Sequence, residues 1–313
     1  MKKVLVTGGL GFIGSNLVTR LHQLGNEVVA VDNMSSGRAD SREFCEGKTE
    51  VEFVRACFAD EQMLDRVKKG EFDTVFHVGA IPRVGYSVEY PDVTTNINVA
   101  RTVKLMNACV GNVNRFIFSS SSSVYGDADI FPTPVDYPKQ PKSPYAWQKS
   151  CIEDAISLFC ELYDLDAVSL RYFNVYGPGQ FGDSAYSTAV SAWCHAIKHG
   201  TELRKDGTGE QSRDLCYVEN VVDANILAMN STSRFAGERY NVACEDRISN
   251  NEILEFLEER FGPLRIKEAP FRPGDVMHTQ ADISTTVADL KYEPAVRFWE
   301  GLERTLEWWE LTR

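Results

Sequence analysis

Tyr145 and Lys149 stand four residues apart in the segment Tyr145-Ala146-Trp147-Gln148-Lys149. On a helix this spacing places the phenol and the ammonium on one face. A free tyrosine has a pKa near roughly 10 and is a poor base at neutral pH, but a fixed cation beside it favours the phenolate and lowers that pKa. The pair therefore indicates a general base or acid for a substrate hydroxyl, although pairs at this spacing also occur by chance on exposed helices.

The N-terminal segment indicates the oxidant that such a pair would need. A short apolar run, Lys3 to Thr7, leads into Gly8-Gly9-Leu10-Gly11-Phe12-Ile13-Gly14, then an amphipathic segment and a second apolar run. Strand, glycine turn, helix and strand in this order are typical of a dinucleotide site. Gly8 permits the tight turn, Gly11 lets a pyrophosphate approach the backbone, and Gly14 lets the helix pack on the strand.

The second apolar run ends at Asp32. An acidic residue at this point binds the adenosine ribose hydroxyls and repels a 2′-phosphate, which favours NAD over NADP. Arg38 follows closely enough in the sequence to leave NADP open as the alternative.

Composition limits the classes of partner. The chain has 313 residues, 25% of them charged, and a net charge of −12, so nucleic acid and anionic membranes are not expected partners. The N-terminal apolar run is too short for a signal peptide, and no run approaches the roughly 18 apolar residues of a membrane span. The eight cysteines have no C-x-x-C or metal-ligand spacing. We expect a cytoplasmic protein with free thiols and no metal site.

The order of segments predicts the fold class. Short apolar runs alternate with helical segments as far as Arg171, which predicts an α/β fold with a Rossmann-type, doubly wound parallel sheet. The alternation then breaks down, which predicts a smaller, mixed α/β substrate-binding domain toward the C-terminus. The predicted domains are 1–173 plus about 215–242, and 174–214 plus 243–313. Segments 91–111 and 186–199 are each predicted to form one helix.

The G-x-x-G-x-x-G turn and the Tyr-x-x-x-Lys pair together resemble the extended short-chain dehydrogenase/reductase family, which contains nucleotide-sugar epimerases, dehydratases and decarboxylases. Four further runs resemble motifs of that family: 98–102, Ser-Ser-Ser-Ser-Ser-Val-Tyr-Gly at 119–126, 170–178, and Arg-Pro-Gly-Asp at 272–275. Two positions depart from the family pattern. Arg101 replaces a glycine, and Cys57 stands where an aspartate usually accepts the adenine amino group. A thiol is a weak acceptor, so this contact must be weaker or must come from backbone or Asp60.

The resemblance implies NAD as the cofactor. Lys149 would hold the Tyr145 phenolate and hydrogen-bond the nicotinamide ribose. The implied cofactor contacts are Gly8, Gly11, Phe12, Ile13, Gly14, Asp32, Asn33, Cys57, Phe58, Val78, Gly79, Ala80, Asn98, Ser119, Tyr145, Lys149 and Tyr172.

The resemblance also implies a UDP-sugar as the substrate. Tyr145, Lys149 and Ser121 would be the catalytic residues, with Ser121 bonded to the reacting sugar oxygen. Arg213 and Arg272 would bind the diphosphate. Their alternative role is to form structural ion pairs. The implied substrate contacts are Ser121, Ser122, Tyr145, Asn174, Arg213, Arg272, Asp275 and Thr279.

The residues after Ser121 favour one reaction of this family. Dehydratases carry Asp-Glu at the next two positions and decarboxylases carry Glu at the second, whereas this chain has Ser122 and Ser123. Reversible oxidation at one carbon, and hence 4-epimerisation, needs no further acid or base. Thr279 matches a position where a small residue admits an acetamido group, which favours UDP-GlcNAc/UDP-GalNAc without excluding UDP-Glc/UDP-Gal. The alternatives are a UDP-glucuronate 4-epimerase, a dehydratase or decarboxylase, and a non-catalytic sensor. Family members commonly form homodimers through the helix of the Tyr-Lys pair and its neighbour.

Overall fold

The computed structural model describes residues 1–35, 51–183, 187–271 and 276–311. Arg38, Arg272 and Asp275, for which the sequence predicted roles, lie outside the described residues. None of the helices in these ranges is both long and apolar enough to cross a membrane.

A seven-stranded sheet forms the centre of the molecule, with the spatial order β3-β2-β1-β4-β5-β6-β9 and parallel pairing throughout. The strand order reverses between β1 and β4, and ligands of open α/β sheets bind at such a point, beyond the carboxyl ends of the strands. The predicted Rossmann-type sheet is confirmed. Its strands are β1 (Lys3–Thr7), β2 (Glu27–Asp32), β3 (Glu52–Arg55), β4 (Thr74–His77), β5 (Arg115–Ser121), β6 (Ala167–Tyr172) and β9 (Ala236–Val242).

Apolar cores cover both faces of this sheet. Successive side chains of a strand point to opposite faces, so Val4 and Val6 pack in one core while Leu5 packs in the other. The α-helices within the described ranges are Phe12–Gln23, Glu61–Lys68, Val84–Glu89, Pro91–Thr95, Thr102–Cys109, Pro144–Tyr163, Ala189–His199, Val218–Asn230, Asn250–Phe261, Ser284–Leu290 and Phe298–Trp308.

A third core, with Tyr176, Trp193, Leu254 and Phe298 among its members, lies in the C-terminal part of the chain. Two small sheets accompany it. One pairs β8 (Ser212–Arg213) with β10 (Ile248–Ser249) in antiparallel fashion, and the other pairs β7 (Leu203–Asp206) with β11 (Ile266–Ala269) in parallel. This is the smaller mixed α/β unit that the sequence predicted. Its boundaries stay a prediction, and Ala281, Ile283 and Tyr292 pack in the first core of the large sheet.

Two predicted helices have different limits in the structure. The single helix predicted over 91–111 is interrupted by a π-helical segment, Asn96–Arg101, between two α-helices. The wider turn lets the Asn98 amide reach Ile81 O and Gln148 Oε1, at 3.1 and 2.8 Å. Such segments are frequent at functional sites. The helix predicted from 186 begins at Ala189, because Thr188 is still extended.

Candidate active site

The glycine turn between β1 and the first helix approaches neighbouring backbone closely. Gly8 has φ 65° and its N–H donates to Val31 O at 2.8 Å. A Cβ at Gly8 would lie 2.7 Å from Gly79 Cα, and one at Gly14 only 2.0 Å from Gly8 O. The Phe12–Gln23 helix has no side-chain cap on its first N–H groups and no acidic residue in its first turn. Its positive end is therefore available to an anion such as a pyrophosphate.

This geometry separates two alanine substitutions. Gly14→Ala is expected to lower the free energy of unfolding by about 2 kcal/mol or more, because the new methyl group overlaps backbone. Gly11→Ala is expected to fold normally, since its Cβ would have only Gly8 O near it, at 3.3 Å, yet to lose NAD. Denaturant unfolding and NAD content of the purified variants measure the two effects. A Gly11→Ala protein that retains NAD would contradict the role assigned to this turn.

Asp32 is held rigidly at the end of β2. Its Oδ2 accepts from Leu10 N at 3.1 Å, and its Oδ1 accepts from Met34 N at 2.8 Å. Each carboxylate oxygen retains a further lone pair. The side chain can therefore accept hydrogen bonds from two ribose hydroxyls, which is the role predicted for it.

Tyr145 lies in the first turn of the Pro144–Tyr163 helix, and the start of that helix is fixed by two serines. Ser143 caps it by accepting from Ala146 N at 3.2 Å. Ser87 Oγ accepts from Tyr145 N at 3.1 Å and donates to Val84 O at 2.7 Å. The buried phenol is thereby positioned at the carboxyl end of β5, where Ser121 is the last residue of the strand.

A chain of hydroxyl groups leads to Tyr145. Ser121 Oγ accepts from Ser123 N at 3.2 Å and from Ser123 Oγ at 2.9 Å. These two contacts occupy both lone pairs of Ser121, so its own proton is available to the Tyr145 oxygen. This hydrogen bond lowers the pKa of Tyr145 and opposes the larger effect of burial. Ser121 therefore stabilises the phenolate form.

Burial has the largest effect on the pKa of both Tyr145 and Lys149. It raises the pKa of Tyr145 to about 12 and lowers the pKa of Lys149 to about 7, with Glu153 partly opposing the latter shift. Lys149 Nζ donates to Ser119 O at 2.6 Å and lies 5.8 Å from the centre of the Tyr145 ring. The predicted lowering of the Tyr145 pKa by Lys149 is wrong for this structure, because the ammonium is bonded elsewhere and is itself disfavoured by burial.

The substrate end of the site is built around Asn174, whose backbone has the unusual φ of 31°. Asn174 Nδ2 donates to Asp214 O at 3.0 Å and to Thr279 Oγ1 at 2.9 Å. Thr279 Oγ1 also accepts from Asp214 N at 3.1 Å. With both lone pairs of Thr279 engaged, its hydroxyl proton is available as a donor. Arg213 Nη1 donates to Ser212 O and Met277 O, each at 3.0 Å, which fixes its guanidinium beside this group.

One cavity of about 1320 Å³ joins the glycine turn to this substrate end. A pocket for a single drug-sized ligand typically measures roughly 300–1,000 Å³, so this cavity has room for more than one such ligand. The predicted residues that line it are Gly8, Gly11, Phe12, Ile13, Gly14, Asp32, Asn33, Cys57, Phe58, Val78, Gly79, Ala80, Ser119, Ser121, Ser122, Tyr145, Lys149, Tyr172, Asn174, Arg213 and Thr279.

Asn98 is not among the lining residues. It lies behind the wall, where its side chain accepts from Ile81 N at 2.8 Å and donates to Ile81 O. Both ends of the amide hold the loop after β4 in the structure, and the predicted contact of Asn98 with the cofactor stays a prediction.

The sequence did not predict several other lining residues, among them Arg83, Lys142, Ser123, Trp193, Arg204 and Asp206. Arg83 follows the predicted cofactor loop by three residues and belongs to no motif that we recognised. Arg204 and Asp206 lie on β7, a strand too short and polar to stand out by pattern. Only the tertiary fold brings these side chains to the cavity.

A glycine turn on a helix N-terminus, an acidic residue after β2 and a Tyr-x-x-x-Lys helix beside β5 define the short-chain dehydrogenase class of dinucleotide enzymes. The model of the NAD dependent epimerase/dehydratase family matches residues 4–243. The chain therefore belongs to the NAD-dependent epimerase/dehydratase family. The resemblance predicted from the motifs is confirmed, as is NAD as the cofactor of the family.

Three relatives are similar to this chain over nearly its whole length. A UDP-glucose 4-epimerase of Mycolicibacterium smegmatis is 33% identical over 97% of this chain and 97% of its own. The solved UDP-N-acetylglucosamine 4-epimerase of Methanobrevibacter ruminantium M1, in complex with UDP-N-acetylmuramic acid, is 35% identical with a TM-score of 0.91, covering 99% and 98%. A UDP-glucuronic acid 4-epimerase of Bacillus cereus, with UDP-glucuronic acid and NAD, is 28% identical with a TM-score of 0.91, covering 99% of each chain. These relatives are isomerases, the enzyme class that the sequence predicted.

Proposed function

We propose that the chain is an NAD-dependent 4-epimerase of a UDP-sugar, with UDP-GlcNAc and UDP-GalNAc as its main substrates and UDP-Glc and UDP-Gal as further ones. The observation that carries the proposal is the single cavity in which Tyr145 and Ser121 lie between the glycine turn and the Asn174–Arg213–Thr279 group. A sugar nucleotide held by Arg213 would place its sugar between the two.

In the proposed reaction, Tyr145 and Ser121 transfer the proton of one sugar hydroxyl group. Tyr145, as phenolate, takes the proton of the 4-hydroxyl, and the Ser121 hydroxyl, which donates to the Tyr145 oxygen, lies in the same hydrogen-bond path. Bound NAD supplies the hydride acceptor and, when oxidised, a positive charge that favours the phenolate. The 4-keto sugar then turns about its diphosphate link, which Arg213 anchors, and Tyr145 returns the proton on the other face. Arg272 and Asp275, outside the described residues, remain proposed contacts of the diphosphate and ribose.

The strand end beside Tyr145 supports epimerisation over elimination. Ser121, Ser122 and Ser123 offer hydroxyl groups there, and Ser123 is used to orient Ser121. Loss of water or of carbon dioxide needs a further acid or base beside the sugar ring. The cavity-lining carboxylates in the described part of the chain are Asp32, Asp183 and Asp206. Asp32 lies at the dinucleotide end of the cavity, whereas Asp183 and Asp206 lie in the C-terminal unit.

Thr279 supports an acetamido sugar. It is small, and its hydroxyl proton is available as a donor because Asn174 and Asp214 N already donate to its oxygen. A carbonyl oxygen such as that of an N-acetyl group accepts this proton. A pocket contact of this kind discriminates by only about 1–3 kcal/mol, so the plain hexose remains a substrate in the proposal.

UDP-glucuronate is the second candidate, and a different observation favours it. A carboxylate on the sugar would need a cation or a cluster of hydroxyl groups. Arg83 and Lys142 line the same cavity as Ser121, Ser122 and Ser123. The Bacillus cereus relative acts on this sugar nucleotide, as its name states.

One incubation tests the proposal. The enzyme, without added NAD, is incubated separately with UDP-GlcNAc, UDP-Glc and UDP-glucuronate, and the products are separated by chromatography. We expect the 4-epimer of UDP-GlcNAc to form fastest and Thr279→Tyr to slow this reaction at least about tenfold relative to UDP-Glc. A faster reaction with UDP-glucuronate, reduced by Arg83→Met, would replace the first candidate by the second. A 4-keto-6-deoxy sugar or released carbon dioxide would refute both.

We also propose a homodimer formed through the Pro144–Tyr163 helix. Trp147, Leu158 and Leu162 share one exposed face of it, and exposed Val88 and Val93 lie on the neighbouring helices. Several large apolar side chains exposed on one side of a helix and on its neighbours are typical of an interface between subunits.

Substitution of this face is expected to give a monomer. Leu158 and Leu162 are 50% and 58% exposed, so glutamate at both positions should leave the fold intact while it places charge in the interface. Light scattering after gel filtration measures the mass. Leu24→Glu, at a leucine 48% exposed on another surface, is the matched control and should remain dimeric. A wild-type monomer would refute the proposal directly.

The seven cysteines in the described ranges are free thiols. This supports the proposal that the protein works in a reducing compartment such as the cytoplasm.

A further inference from the structure

The two departures from the family pattern touch each other at the adenosine end of the cavity. Arg101 Nη1 donates to Cys57 Sγ at 3.0 Å, from the π-helical segment to the loop that follows β3. Cys57 lines the cavity together with Ala56 and Phe58, close in sequence to the end of the strand that pairs with Asp32. The pair therefore determines which hydrogen-bonding groups a bound adenine meets at this wall.

The lone pairs of the Cys57 sulfur are both engaged. Besides the guanidinium, Ala59 N donates to the sulfur at 3.4 Å. A thiol carries two lone pairs and one weakly donating hydrogen. With both lone pairs directed to N–H groups, the hydrogen is the part of the thiol that remains for a ligand.

The neighbouring side chains do not replace the missing acceptor. Asp60, the side-chain acceptor among the alternatives that the sequence offered, is not among the lining residues, and its Oδ2 accepts from Cys57 N at 3.0 Å. Asn33 Oδ1 accepts from Ser35 N at 3.0 Å. Ala56 and Phe58 carry no side-chain acceptor. The 6-amino group of adenine is a donor, and the thiol hydrogen does not complement it.

We propose that Cys57 and Arg101 reverse the hydrogen-bond polarity of the adenine end, so that this enzyme does not select the 6-amino group of its dinucleotide. A dinucleotide with a 6-oxo purine presents an acceptor at that position, with a hydrogen on the neighbouring N1, and then complements this wall at least as well as NAD. This inference rests on the proposed dinucleotide site, and it concerns a position that most members of the family are expected to use for the opposite contact.

Comparison of two dinucleotides tests the inference without any assay of activity. The wild-type protein, freed of bound dinucleotide, is titrated calorimetrically with NAD and with nicotinamide hypoxanthine dinucleotide. We expect the two dissociation constants to agree within about twofold or to favour the hypoxanthine compound. A preference for NAD of about tenfold or more, the size of one good hydrogen bond, would overturn the inference. Failure of both compounds to bind would instead refute the proposed function.

Four variants assign the effect to Cys57 and Arg101. Cys57→Asp provides free acceptor lone pairs and should gain a preference for NAD of about tenfold, whereas Cys57→Ser, still a donor, should keep the wild-type ratio. Arg101→Met frees one lone pair of the sulfur and should move the ratio toward NAD, while Arg101→Lys retains a donor and should not. An unchanged ratio in Arg101→Met would overturn the role of Arg101. Circular dichroism verifies that each variant is folded, and NAD content after isolation provides a second measure of affinity.

Discussion

Tyr145→Phe is expected to lower the rate of epimerisation by about 10²- to 10⁴-fold, the range that removal of a general acid–base group produces. The phenol is the titratable group to which Ser121 directs its proton, and Lys149 is bonded to Ser119 O instead. The variant should retain its NAD and bind UDP-GlcNAc within a few fold, because the ring still fills its buried position. Product formation and calorimetric binding measure the two properties.

The control for this substitution is Tyr163→Phe, at an exposed tyrosine on the same helix, which should leave the rate unchanged. Ser121→Ala should cause a smaller loss of about 10- to 100-fold, and Ser121→Thr should restore most of it, since only the hydroxyl donor matters. A Tyr145→Phe enzyme within tenfold of the wild-type rate would show that the proton passes to another group.

The parts of the site that depend on neighbours in sequence could be predicted. The turn at Gly8 to Gly14 requires small residues at fixed spacing, because a Cβ there meets backbone within the same β-α unit. The helix that carries Tyr145 and Lys149 is likewise local, since four residues make about one turn. Their type and spacing are enough to place them on one face.

The parts that depend on tertiary packing could not be predicted. The pKa of Tyr145 rises where proximity to Lys149 predicted a fall, because the sequence cannot say how completely the fold buries both groups. The hydrogen bond from Asn98 to Ile81 depends on the π-helical segment, which the sequence pattern did not predict. Arg83 and Arg204 reach the cavity only through the packing of separate loops and sheets. Cys57 and Arg101 were recognised as two separate departures, and only the structure joins them.

Lys149→Met is expected to separate stability from activity. Lys149 is only 5% exposed, and burial lowers its pKa from 10.5 to about 7. Below pH 7 the side chain is charged in both the folded and the unfolded protein, so the folded state bears the cost of the buried charge, roughly 3–5 kcal/mol. Methionine removes this cost but leaves Ser119 O without its donor, which costs about 1–3 kcal/mol. The variant should therefore be more stable than the wild type at pH 6, by roughly 2 kcal/mol at the middle of these two ranges.

The pH dependence identifies the cause. Between pH 7 and 10.5 the unfolded chain binds a proton at Lys149 that the folded chain does not, so the stability of the wild type rises with pH in this window. The advantage of the methionine variant should shrink from pH 6 to pH 9, as measured by urea unfolding, and exposed Lys104→Met should have no such trend. Equal stabilisation at both pH values would mean that packing, not charge, is responsible. Activity should fall by about 10- to 100-fold at every pH, because methionine cannot make the proposed hydrogen bond that positions the nicotinamide ribose. If the protein becomes more stable when Lys149 is replaced, the buried amine destabilises the fold. Its role then lies in the reaction rather than in stability.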